Sequence, residues 1–154
     1  MKCHLLTIRK LVVTMNVMRF SIAVLATWVF FTIGGAVWHE VLFDGLYTEW
    51  VFGIERLEMP ILYFIINDIM RSIVYVYVYH MLYKGGNPVS KGLKFGFLMG
   101  ILTGLSVTGY YGDFNITSPS WAIMEFGFNI IRSLVGGLII ALIIGKRKPG
   151  IEPL

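Results

Sequence analysis

Four apolar runs, each long enough to cross a bilayer as a helix, constrain this chain more than any other feature of its sequence. They fall at Phe20–Phe43, Pro60–Tyr83, Leu93–Tyr111 and Pro119–Gly145. A transmembrane helix needs about 20 predominantly apolar residues. Membrane β-strands would be shorter and would alternate in polarity; these runs do neither. The chain has 154 residues, of which 56% are hydrophobic and 14% charged. A water-soluble domain of this size has too little interior for that much apolar surface. The expected fold is all-α: one membrane domain over residues 1–154, a polytopic four-helix bundle. The one cysteine, Cys3, excludes an internal disulfide. The apolar part of Met1–Thr14 is too short for a signal peptide. These residues are expected on the membrane surface, or as an extension ahead of a start at Met15.

The charges sort by loop. Lys2, Arg9, Lys10 and Arg19 precede the first span, Lys84, Lys91 and Lys94 fall between the second and third, and Lys146, Arg147 and Lys148 follow the fourth. The other two loops hold Asp44, Glu49, Glu55, Glu58 and Asp113, with Arg56 their one base. The positive-inside rule then makes both termini cytoplasmic. The net charge of +4 is a topology signal. The bases sit beside membrane ends and form no separate patch of the kind nucleic acid requires. In the long loop Asp44–Glu58, Leu46, Trp50, Ile54 and Leu57 recur at helical spacing, which predicts an amphipathic helix in the outer interface, an anchor more than a lid.

Two of the spans share a motif. Asp68–Val74 reads DIMRSIV and Asn129–Val135 reads NIIRSLV, so Arg71 aligns with Arg132, Ser72 with Ser133 and Asp68 with Asn129. The simplest origin is a duplicated helical hairpin. It would give two tandem hairpins of equal orientation, related by a pseudo-two-fold along the membrane normal. Arg71 and Arg132 would then lie at similar depth near the bilayer centre.

An arginine facing lipid at that depth costs at least ~2.5–3.5 kcal/mol on insertion scales. Both arginines are therefore expected on inward stripes. One stripe holds Asp68, Arg71 and Tyr75, flanked by Asn67; the other holds Trp121, Glu125, Asn129 and Arg132. These eight are the candidate ligand-binding residues. Cross-pairs, Arg71 with Glu125 or Arg132 with Asp68, would satisfy the guanidinium forks better than pairs within one helix. Asn67, Asp68, Glu125 and Asn129 all lie to the outer side of the arginines, a layout that suggests a polar vestibule open to the outside. On the third helix Gly96, Gly100 and Gly104 form GxxxGxxxG. That stripe suits close packing within the chain as well as a seam to a homodimer or a larger membrane complex.

Other signals fail. Trp38–Glu40 (WHE) lacks the second histidine of HExxH, and His39 and His80 lie near opposite membrane faces. No metal site, cofactor motif or nucleophile motif emerges.

The stretch KGLKFGFLMGILTGL (Lys91–Leu105), the aromatic turn and apolar span after it, and the tryptophan-bearing first helix with AVWHEVLF (Ala36–Phe43) resemble a group of uncharacterised small four-span prokaryotic membrane proteins. The resemblance implies a four-helix membrane fold in a prokaryotic inner or plasma membrane. It implies no activity and no functional residue.

Three readings of function follow. In the first, the protein is non-enzymatic and binds, and translocates, a small polar or amphiphilic ligand at the buried Arg/Asp/Glu site. In the second, it is an accessory or assembly subunit of a larger membrane complex and the charges are structural. In the third, it is a membrane enzyme using Asp68 or Glu125 on a lipophilic substrate. The topology is tested by cysteine labelling at Asn87 and Asn115 on a Cys3→Ser background. An impermeant reagent outside the cell should reach Asn115→Cys and spare Asn87→Cys; labelling of Asn87→Cys would overturn the orientation.

Overall fold

The computed structural model describes residues 16–43, 45, 61–113 and 119–145. The amphipathic helix expected over Asp44–Glu58 (Gly45 apart), the turn from residue 114 to Ser118 and the segment Met1–Thr14 lie outside the described residues. The described chain is all-α. Helix α1 spans Val17–Ala36 and runs on into a π-helical turn, Val37–Leu42; α2 is Ile61–Leu82, α3 is Pro88–Asp113 and α4 is Pro119–Ile144. All four are long and apolar enough to cross a membrane.

The helix starts follow local chemistry. Asn16 caps α1, its Oδ1 accepting from the Arg19 amide at 3.2 Å. The third helix begins at Pro88, earlier than the expected Leu93. Proline suits a first helical position, where no amide partner is needed. Asn87 Oδ1 then accepts from the Val89 and Ser90 amides at 3.0 and 3.4 Å. Lys91, ahead of the expected span, therefore sits on the helix together with Lys94. Between α2 and α3 the chain turns through Gly85 and Gly86, at φ +102° and +96°, values that favour glycine. The Tyr83 hydroxyl reaches the carbonyls of Gly86 and Gly145 at 2.9 and 3.1 Å, which ties this turn to the end of α4.

Helix α3 lies against α4 through glycines on both. A Cβ at Gly100 would stand 2.7 Å from Ile130 Cα, one at Gly104 would stand 2.7 Å from Phe126 Cδ2, and one at Gly137 would stand 2.8 Å from Gly96 Cα. A Cβ at Gly96 would run into the Ser133 carbonyl oxygen. This corrects the dimer expectation: the Gly96/Gly100/Gly104 face is filled by the chain's own α4, so a partner could enter there only by displacing it. Helix α1 divides its contacts between α2 and α4. Phe31, Tyr75, Tyr79, Phe95 and Ile140 form the core with Ala23, Val76 and Ala141. Phe31 lies over Gly136, where a Cβ would be 2.6 Å from its ring, and meets Tyr75 edge-on at 5.4 Å. Leu98, Leu102 and Leu105 of α3 face outward, as lipid-facing positions require.

Close backbone approach makes a sharp prediction for thermal unfolding in detergent. Gly100→Ala forces α3 from α4 and should cost ~1–3 kcal/mol, the usual range for overpacking. At Gly127 nothing lies within 4 Å of an added Cβ, so Gly127→Ala should be neutral or gain ~0.5–1 kcal/mol. Equal stability of the two variants would contradict this packing.

Candidate functional site

Arg132 leaves α4 towards both α1 and α2. Its Nη2 donates to Asp68 Oδ1 at 2.9 Å and to the Phe31 carbonyl at 2.6 Å, so one guanidinium joins three helices. The Phe31 ring lies 4.8 Å from its centre and the Phe128 ring 5.6 Å, both within cation–π reach. The other carboxylate oxygen of Asp68 accepts a longer bond, 3.4 Å, from Thr32 Oγ1. Asp68 is therefore held from α1 and α4 while it stands on α2.

Arg71 is placed differently. Its guanidinium is 3.9 Å from Asp68 Oδ1 and donates to Asn67 Oδ1 at 3.4 Å. Both partners are on its own helix. The Arg71 side chain remains 27% exposed, against 10% for Arg132, and Asn67 is exposed. The two arginines aligned by sequence thus have unlike surroundings. Their serines differ too: Ser72 Oγ bonds back to the Asp68 carbonyl at 2.7 Å, whereas Ser133 Oγ pairs with the Tyr75 hydroxyl of α2 at 3.0 Å.

Towards the N-terminal end of α4 lies a second polar group. Glu125 is buried. Its nearest ionisable neighbour is His39, with Nδ1 3.9 Å from Oε1, and the Trp38 indole hydrogen-bonds its carboxylate. Asn129 Nδ2 donates to the Glu125 carbonyl at 2.8 Å. Trp38 stacks on Phe128 at 4.5 Å and meets Phe43 at 4.4 Å, and Trp121 packs into the same cluster.

Of the two expected cross-pairs, the structure forms Arg132–Asp68. Arg71–Glu125 is replaced: Glu125 faces the π-helical turn of α1. The reason is local. A π turn adds a residue to the helical turn, which aims Trp38 and His39 together at α4. The stacked Trp38 and Phe128 rings lie beside Glu125. A shallow groove of about 330 Å³ opens between α1 and α2, along Phe20, Val24, Trp28, Ile69 and Ile73; none of the eight candidate residues lines it. No three His, Cys, Asp or Glu side chains converge to hold a metal ion among the described residues.

Sequence reasoning missed Phe31, Thr32, Trp38 and His39. A signal was available: Thr32, Gly35 and His39 recur at helical spacing and mark a polar face on α1 that answers those of α2 and α4. Comparisons with protein-family models, with curated proteins and with solved structures find no match, so the site is understood from its own geometry.

Removing one member of a buried ion pair typically costs 3–5 kcal/mol, while replacing the whole pair by apolar groups can be neutral. Asp68→Leu strips both arginines of their carboxylate and should be the most damaging single change, by roughly 3–5 kcal/mol. Adding Arg132→Met should restore more than half of the loss. Adding Arg71→Leu instead should restore little, because Arg71 is the farther and more exposed partner. Strictly additive losses in thermal unfolding would refute the shared Asp68.

Proposed function

We propose that this chain is an accessory or assembly subunit of a larger membrane complex and that its charge network is structural. One observation supports the reading above all: the Arg132 guanidinium ties three helices of the chain together through the Asp68 carboxylate, the Phe31 carbonyl and two aromatic rings. A buried network of this type fixes helix register and choice of neighbour. The proposal includes two tandem hairpins, α1–α2 and α3–α4, with both termini cytoplasmic in a prokaryotic inner or plasma membrane. The segregation of Lys and Arg among the loops supports that orientation.

A ligand-binding reading stands second, on one observation. Glu125 Oε1 and Trp121 Nε1 are both buried without a hydrogen-bond partner, and a small polar molecule at this end of α4 would satisfy them.

Extraction of native membranes in a mild detergent separates the two. The subunit reading predicts that the chain migrates with other polypeptides in one assembly, and that Asp68→Leu/Arg132→Met keeps that assembly. A monodisperse chain alone, holding a small molecule that Glu125→Gln releases, would sink the subunit reading and favour binding.

A further inference from the structure

We propose that Arg71 is the docking point for a transmembrane helix of another subunit, one that carries an aspartate or glutamate at the depth of Arg71. The inference deepens the subunit reading above and rests on it.

The first argument is charge. Among the described residues Asp68 is the one carboxylate paired with these two guanidinium groups, and Arg132 holds it at 2.9 Å while Arg71 stands at 3.9 Å. The cluster Asp68/Arg71/Arg132 therefore carries one positive charge in excess. The other buried acid, Glu125, lies beside Trp38 and His39 and feels the charge of Arg132, but among the described residues it forms no ion pair with Arg71. The excess charge sits on Arg71, the more exposed member, at the side of the bundle.

The second argument is depth. Arg71 lies in the middle of Ile61–Leu82, about 15 Å from either end at 1.5 Å per residue. Half the hydrocarbon thickness is also about 15 Å. That is farther than an arginine side chain extends, so snorkelling to a lipid headgroup does not answer its charge. A carboxylate delivered by a neighbouring helix does, and with the Arg fork it makes a charge-assisted pair.

The third argument concerns the seat. Asn67 is exposed beside Arg71. Its Oδ1 accepts from Arg71, and its amide carries two N–H donors suited to the same incoming carboxylate. Phe64, Met70 and Val74 around this pair are 59%, 56% and 48% exposed and offer the apolar surface against which a helix would lie.

A second copy of the chain does not fit. In a parallel two-fold pair through this face Arg71 would meet Arg71. Asp68 and Glu125 are buried at 8% and 5% exposure. Glu40 is exposed, but it lies two turns beyond Thr32, which is level with Asp68; that is ~11 Å off in depth.

The test uses the full chain in its native membranes with a photo-crosslinking amino acid at Val74, and the same probe at Leu102 on α3 as a control. The Val74 probe should join one second membrane polypeptide. Arg71→Leu should cut that adduct at least about tenfold, the scale of losing one partner of a buried charge pair, and Arg71→Lys should retain most of it. If Arg71→Leu does not accumulate, Arg71→Gln makes the same comparison. Peptide mapping then locates the carboxylate of the joined helix, and changing it to Lys should rescue Arg71→Glu. Adducts at Val74 that ignore Arg71, or that join a second copy or lipid only, overturn the docking inference. Adducts to another polypeptide at Leu102 alone also overturn it while leaving the subunit reading standing. A chain that joins no polypeptide at either position, and extracts alone, overturns both.

Discussion

A guanidinium in hydrocarbon must find its counter-charge and its hydrogen-bond acceptors inside the protein, and the helix arrangement here follows from how Arg132 does so. Its Nη2 takes the Asp68 carboxylate from α2 and a backbone carbonyl from α1. Helix α1 already uses its carbonyls for its own ladder, but each carbonyl has a second lone pair. Phe31 can therefore accept from Arg132 without breaking the helix. The same residue lays its ring over Gly136 and against the guanidinium. Rotating α1 by a fraction of a turn would lose the carbonyl, the ring contact and the Thr32–Asp68 bond together. The network thereby selects one rotation for each of three helices.

The remaining helix, α3, is held by a different force. Apolar side chains gain little from each other in lipid, whose tails are equally apolar, so association depends on close packing and polar contacts. Helix α3 contributes the packing. Its glycine row admits the α4 backbone at Ser133, Ile130 and Phe126, the stretch that surrounds Arg132. Phe95 of α3 also meets Tyr75 and Tyr79 edge-on at 5.8 and 5.3 Å, and Tyr75 bonds Ser133. The dry packing on one side of α4 and the polar network on the other thus hold the same two turns of helix. A change at Gly96 or Gly100 should therefore be felt at Arg132.

Much of this was legible in the sequence, and the pattern of success has a physical basis. Four spans emerge from hydropathy because a bilayer demands length and apolarity at once. The glycine row and the two arginine stripes emerge because helical periodicity places residues three and four apart on one face. Asp68 could be named as a partner for Arg132 on grounds of charge alone. The partner of Glu125 could not be named, because pairing between helices depends on how each is rotated, and here a π-helical turn sets that rotation for Trp38 and His39. No composition signal marks such a turn in Val37–Leu42. The unlike surroundings of Arg71 and Arg132 were equally hidden. Their local sequences are nearly the same, and the difference comes from α1, which packs on both α2 and α4.

The central claim is that Arg132 is neutralised inside the chain by Asp68, and solid-state NMR in lipid bilayers measures it directly. With labelled arginine side-chain nitrogen and aspartate carboxyl carbon, the account predicts a dipolar coupling between Arg132 Nη and Asp68 Cγ at about 4 Å or less, the separation that a charge-assisted hydrogen bond imposes. It also predicts that this coupling vanishes in Asp68→Leu. An Arg132 guanidinium coupled to lipid phosphorus, with no contact to Asp68, would contradict it.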